Sequence, residues 1–227
     1  MCRQNSEKPF IWGVTGGIGS GKSYVCRLLA ERGWPVFSCD DEAKRLIRHD
    51  VQLRRQLTGM IGPLLYASDG TLNKAVMAAF LCTGPQQAAM VNAVVHPRVA
   101  EEFKAWVEMQ SSSDVVMECA LLFEAGFDRL VDRTVHVAAS HSTRLRRIMA
   151  RDGVTAAKAE AWMALQMDEA DKQRRADCVV NNEDGDETGR EVERIFRRLV
   201  FLESHSGTKI GQSPIFAAIY QKQDKQI

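Results

Sequence analysis

The chain has 227 residues, enough to bury one sizeable core without disulfides or metals to staple it. Its 30 Lys and Arg against 29 Asp and Glu leave a formal charge of +1, which argues against non-specific nucleic-acid binding. Six scattered cysteines without a C-x-x-C pair suggest neither a zinc site nor a disulfide framework, and the absence of a signal segment or bilayer-length apolar run points to a cytoplasmic chain with no membrane partner.

The first predicted element is a buried strand over the apolar run Phe10-Ile11-Trp12-Gly13-Val14. Gly16-Gly17-Ile18-Gly19-Ser20-Gly21-Lys22-Ser23 follows and fits G-x-x-x-x-G-K-[ST], the loop that cradles nucleotide phosphates. Its glycines let consecutive N–H groups approach an anion with no Cβ in the way. Lys22 is placed to reach the β- and γ-phosphate oxygens of ATP, and the Ser23 hydroxyl can bind Mg²⁺. Val25, Leu28 and Leu29 at helical spacing predict the helix whose positive end faces that anion, with Gly33 stopping it and Pro35 beyond.

A second strand, Val36-Phe37-Ser38-Cys39, ends at Asp40-Asp41, with Asp41 as the better helix cap. The spacing of Ala43, Leu46, Ile47, Leu53, Leu57 and Ile61 predicts one helix over 41–61. Ser68-Asp69-Gly70 is a turn, Asn73 caps a helix through Val76, Met77 and Phe80, and Gly84-Pro85 breaks it. A helix from Gln86 to about Val94 is expected to end at His96-Pro97, with Pro97 opening the next one through Phe103, Trp106 and Val107. Val115-Val116-Met117 and Thr134-Val135-His136-Val137 are the third and fourth strands. Helices follow over about 142–151 and 156–169, then a strand at Cys178-Val179-Val180 and a last helix over about 188–202. Strands alternating with helices indicate an α/β fold with a parallel sheet covered on both faces. The long helical stretch between strands two and three reads as an insertion. Residues 203–227 read as a loosely attached tail in which 215–220 could pack.

Several charged residues carry two readings. Asp40, at the carboxyl edge of the sheet, can accept a proton from an attacking hydroxyl or simply start a helix. Arg144, Arg147 and Arg151 share one helix face, opposite Leu145, Ile148 and Met149. That stripe can close on a triphosphate or be an ordinary solvated face. Glu118 after its apolar strand can support Mg²⁺ or merely end the strand, Glu124 can sit at a pocket rim or at the surface, and His96 can touch substrate or pack.

Taken together, the residues resemble the dephospho-coenzyme A kinases over about residues 10–200. Gly13-Val14-Thr15-Gly16-Gly17-Ile18-Gly19-Ser20-Gly21-Lys22-Ser23 looks like that family's opening, and Asp40 stands where it has the base for the ribose 3′-hydroxyl. Asp69-Gly70-Thr71-Leu72, His96-Pro97 and Leu121-Leu122-Phe123-Glu124 resemble its D-G-x-L, H-P and P-L-L-F-E blocks. Arg147, Arg151-Asp152 and Gln166 resemble its lid, and Ala176-Asp177 with Asn181-Asn182 its segment near the adenine. Ala120, Ser38, Lys74 and Ala138 depart from the common residues, which bears on pocket detail more than on the reaction.

The resemblance implies a P-loop NTPase three-layer fold with a five-stranded parallel sheet, an inserted helical substrate subdomain and a helical lid. One domain over 9–204 would comprise a core (9–40, 111–140 and 174–204), an acceptor-binding insertion (41–110) and a lid (141–173), before a tail at 205–227. It implies transfer of phosphate from ATP with Mg²⁺ to dephospho-coenzyme A. Lys22, Asp40 and Arg147 would be catalytic, and Gly17, Ile18, Gly19, Ser20, Gly21, Lys22, Ser23, Arg144 and Asn182 would bind ATP. Asp40, His96, Leu121 and Leu122 would bind the acceptor, and Ser23 the metal. The chain is expected to act as a monomer or weak homo-oligomer, without nucleic acid. A P-loop kinase for another small molecule or a nucleotide is the alternative; a nucleotide-binding switch fits less well, since no N-K-x-D element is in its usual place.

Overall fold

The computed structural model describes residues 8–185, 188–190 and 192. Five strands form one sheet: β1 (Phe10–Thr15), β2 (Val36–Ser38), β3 (Asp114–Glu118), β4 (Arg133–Ala138) and β5 (Cys178–Asn181). Every pairing is parallel and the order is β2-β3-β1-β4-β5. The central strand β1 aligns Val14 with Glu118 and Thr15 with His136, so loops from four strands open on one carboxyl edge. Glu118 is also the register partner of Ser38, which brings the end of β3 beside the chain entering residue 39.

Alternate side chains of the buried strands feed two cores, as a sheet covered on both faces requires. Trp12, Val14, Val116, Val135, Val137 and Val180 pack on one face against Val25, Cys26 and Leu29 of α1 (Lys22–Ala30). Val115 and Met117 join the other core with the helices inserted between β2 and β3. These are α2 (Cys39–His49), α3 (Val51–Ile61), α4 (Lys74–Leu81) and α5 (Pro85–Glu108). Three helices follow β4: α6 (His141–Asp152), α7 (Ala156–Met163) and α8 (Glu169–Arg175). Ile148, Ala159 and Met163 form a small third core among them.

Four boundaries differ from the sequence expectation. The helix expected over 41–61 is two, because Asp50 leaves helical geometry and its side chain caps α3 by accepting from Leu53 N at 2.7 Å. Ser38, not Asp41, caps α2, accepting from Asp41 N at 3.3 Å; Asp40 therefore lies in the first helical turn rather than at a strand end. The expected break at His96-Pro97 is absent, and α5 runs unbroken through Pro97. An interior proline costs about 3 kcal/mol. Val91, Val95, Val99, Phe103 and Val107 are buried along one stripe of that helix, and at about 1.5–3 kcal/mol per buried apolar side chain their packing outweighs it. The helix expected over 156–169 stops at Met163, and Asp168 starts α8 by accepting from Ala170 N and Asp171 N.

Met149, expected to pack opposite the arginine stripe, is exposed, whereas Ile148 is fully buried. The expected last helix is present at 188–190 and 192; its remainder, the tail at 205–227 and the apolar run 215–220 lie outside the described residues. Cys26, Cys39 and Cys119 are buried free thiols, and burial pushes the Cys178 thiol up to about 12.

Candidate active site

The loop between β1 and α1 turns on glycines that no other residue could replace without strain. Gly19 and Gly21 have φ of 82° and 92°, in the left-handed region. A Cβ on Gly19 would lie 2.7 Å from Arg144 O, and one on Gly21 would overlap Asn182 Nδ2. The glycines thus allow two later segments to close on the loop as well as leaving its amides accessible.

Lys22 is the first residue of α1, and its Nζ donates to Gly17 O at 3.3 Å. Burial of the ammonium pulls its pKa below the ordinary lysine value; Asp40 and Glu118 oppose that shift, and the charge of Lys172 adds to it. Ser23 Oγ donates to Glu118 Oε1 at 2.8 Å. The signal for Glu118, an acid ending an apolar strand, therefore identifies a residue that touches the loop. Asp40 is exposed and has no hydrogen-bond partner among the described residues, yet its charge acts on Lys22 across the cleft.

The arginine stripe divides. Arg144 is buried, donates from Nε to Ile18 O at 3.0 Å and pairs with Glu169 at 3.3 Å. Arg147 donates to Gly19 O at 3.4 Å, Ser20 O at 3.3 Å and Asn182 O at 2.9 Å, and pairs with Asp184 at 2.8 Å. Among the described residues Arg151 reaches only Asp152, at 2.7 Å. Asn182 is buried; its Nδ2 donates to Ser20 O at 2.7 Å and its Oδ1 accepts from Thr188 at 3.0 Å. Gln166 Oε1 accepts from Ile18 N at 2.7 Å. Both polar groups of Ile18 are thus taken up by side chains of the segment that follows β4.

Around the acceptor side the expectations scatter. Leu122 is fully buried and would touch a Cβ on Gly13 at 3.1 Å; Leu121 is half-buried at the core's edge. His96 packs edge-on against Phe127 at 5.6 Å in mid-helix, and burial lowers its pKa. It contacts neither Lys22 nor Asp40 through any hydrogen bond among the described residues.

A model of the family described as dephospho-CoA kinase matches residues 10–187. The chain belongs to the dephospho-CoA kinase family. The dephospho-CoA kinase of Bacteroides fragilis (strain YCH46) is 38% identical over 172 residues, covering 75% of this chain and 83% of that protein. The crystal structure of TT1252 from Thermus thermophilus superposes with a TM-score of 0.73 at 32% identity, over 86% of this chain and 97% of that one. A dephospho-CoA kinase from Campylobacter jejuni superposes at 0.62 with 18% identity, over 83% and 96%, and bears on the fold alone. The α/β P-loop kinase fold and the kinase class expected from the sequence both hold.

Within this kinase scaffold, two residues escaped the sequence reading. Lys172 is fully buried, pairs with Glu124 at 3.0 Å and donates to Ala120 O at 2.9 Å. Glu169 joins Arg144 to His136, which lies 3.4 Å away at the end of β4. Burial would raise the Glu169 carboxyl, but His136, Arg144 and Lys172 together hold it below the usual range. Both residues lie in the polar run Glu169-Ala170-Asp171-Lys172-Gln173-Arg174-Arg175, where no periodicity separates a buried charge from a solvated one. Glu124, read in the sequence as a pocket-rim or surface acid and as part of a resembling block, pairs with the buried Lys172.

Proposed function

We propose that this chain transfers the γ-phosphoryl group of ATP to the ribose 3′-hydroxyl of dephospho-coenzyme A, giving coenzyme A and ADP. This is the last step of coenzyme A biosynthesis. The single observation that supports the residue-level reading is the approach of Lys22, at the head of α1, to the charges of an exposed Asp40 and of Glu118, which holds Ser23 at the end of β3. Family membership favours this acceptor over other small molecules.

Lys22 and the amides of the loop hold the β- and γ-phosphates, and the α1 dipole adds to the attraction. The 3′-oxygen attacks the γ-phosphorus as its proton passes to Asp40; the bond from γ-phosphorus to the bridging oxygen breaks and ADP leaves. Asp40 is suited to this because no hydrogen-bond partner among the described residues occupies its carboxylate. Arg147 already spans the loop and Asn182, and it offsets charge developing on the phosphoryl group. Asn182 and Arg144 hold the loop, and Leu121 and His96 edge the acceptor side. The segment 141–173 acts as a lid and 41–110 as the acceptor-binding insertion, within a domain over 9–204.

The Ser23 hydroxyl and Glu118 carboxylate, 2.8 Å apart, form a hard-oxygen pair. That donor set fits Mg²⁺, which takes few protein ligands and fills its shell with water and phosphate oxygens. The ion would neutralise phosphate charge there. Among the described residues no helix is long and apolar enough to cross a membrane. We place the enzyme in the cytoplasm as a monomer or weak oligomer, with no nucleic-acid partner.

The test is an ATP-consumption assay with dephospho-coenzyme A, adenosine and shikimate as acceptors, the products separated chromatographically. Turnover with dephospho-coenzyme A alone, giving coenzyme A, supports the reading. Equal or better turnover with either other acceptor overturns it.

A further inference from the structure

Ile18 is gripped on every side by the segment that follows β4. Its amide donates to Gln166 Oε1 at 2.7 Å, and its carbonyl accepts from Arg144 Nε at 3.0 Å. Its side chain packs on the small core of Ile148, Ala159 and Met163. The contributions come from α6, α7 and the link to α8, so three parts of the segment converge on one loop residue. Arg144 is in turn tied through Glu169 to His136 on β4, which anchors the grip to the sheet. Ile18 thus belongs to the packing of this segment as much as to the phosphate loop.

We propose that Ile18 is a positioning residue, the peg through which the lid sets the shape of the phosphate loop, with Gln166 as its chief polar partner. The Ile18 amide is only part-buried, so on losing its acceptor it must find another, turn to water or rotate. Rotation of the Ile18 peptide changes the aim of the amides that follow it, and small misplacements of an anion cradle are costly. Seating the lid and shaping the loop are therefore one event: the lid cannot lift as a rigid piece without either releasing Ile18 or carrying the loop with it. The apolar contact makes the link selective, because a shorter side chain at position 18 leaves the hydrogen bonds in place but loosens the peg.

Amide hydrogen exchange on the nucleotide-free protein tests the grip without reference to the reaction. Ile18 N–H is expected to be protected, and fast exchange there overturns the proposal. The kinetic arm rests on the ATP reading above. Gln166→Leu should speed Ile18 exchange and raise the KM for ATP about tenfold, leaving the KM for dephospho-coenzyme A unchanged. Ile18→Ala should do the same to the ATP KM, and Ile18→Val should restore most of it. In the double variant the two effects should fall short of multiplying, since both remove one coupling. Unchanged ATP KM in both single variants, equal rises in both substrates' KM, or simple multiplication overturns the proposal. Should Gln166→Leu fail to fold, the wild-type exchange and the Ala and Val pair at position 18 still decide.

Discussion

Around the phosphate loop, polar groups are held by side chains from far along the chain: Arg144 reaches Ile18 across 126 residues, and Asn182 reaches Ser20 across 162. Around Asp40 the opposite holds. The helices of the insertion bury Leu46, Leu53, Leu57, Val95 and Phe103, while the Asp40 carboxylate has no hydrogen-bond partner among the described residues. On the proposed reading, the nucleotide side is pre-assembled by directional bonds and the acceptor side is a packed wall that leaves Asp40 unengaged among the described residues. Pre-assembly means the loop need not reorganise to receive phosphates, which is where electrostatic catalysis gains most. An unengaged carboxylate is what a proton acceptor needs, since a hydrogen bond to its charged form would lower its basicity.

The hardest way to break this comparison is to remove the cation that both sides share. Lys22→Ala should lower turnover beyond about a thousandfold if, as proposed, Lys22 holds the phosphates. The fold should survive, since Lys22 donates only one long bond, to Gly17 O at 3.3 Å. Steady-state kinetics with a thermal-melt control reads both, and turnover within tenfold of the parent would mean the phosphates lie elsewhere.

Next in size is Asp40→Asn. Loss of the proton acceptor should cut kcat about a hundredfold to a thousandfold while the KM for ATP stays put. The split sharpens the contrast: a residue on the acceptor side should leave nucleotide binding alone. An unchanged kcat would return Asp40 to the first turn of α2 as a plain dipole-matching acid.

How much of this was legible in the sequence follows the same divide. The phosphate loop is a local pattern, so its residues, its flanking strand and its helix could be read directly. The sheet could also be read, because buried parallel strands are short apolar runs. Ser38 hid as a cap because Asp41 is an equally good one in isolation. Pro97 misled because the rule against helical residues before proline is local, whereas the buried stripe from Val91 to Val107 is a tertiary fact. The full burial of Leu122 was not legible for a related reason: a block resemblance says which residues matter, not which way each side chain turns. Glu169 and Lys172 act through partners distant in sequence, and no spacing rule reaches them; Gln166 was legible as part of the lid it resembles, but not its bond to Ile18 N.

Arg147→Ala should cost less than either change above, about tenfold in kcat. Arg147 is half-shared, pairing with Asp184 and three carbonyls, so part of its charge is already spoken for. Part of the loss should come from a looser loop, raising the ATP KM as well. Arg151→Ala, whose parent side chain touches only Asp152, serves as the control and should leave both constants unchanged. Equal effects of the two variants would make the helix face an ordinary charged surface.

The smallest expected effect is a pH dependence, and it separates activity from stability. The Lys22 ammonium is desolvated, so it loses its proton below the ordinary lysine value of 10.5. Binding of ATP to the free enzyme should therefore weaken along an alkaline limb centred below 10.5, read by direct nucleotide titration. Stability carries the opposite sign. The unfolded chain holds that proton to higher pH than the folded one, so this group's contribution to stability rises through the same window. Nucleotide affinity should thus fall before the melting temperature does. Asp40 opposes the desolvation, so Asp40→Asn should move the binding limb to still lower pH, and binding can be followed in that variant even though it turns over poorly. A limb at or above 10.5, or one that stays put in Asp40→Asn, would mean that the carboxylate and the ammonium do not share the cleft electrostatically.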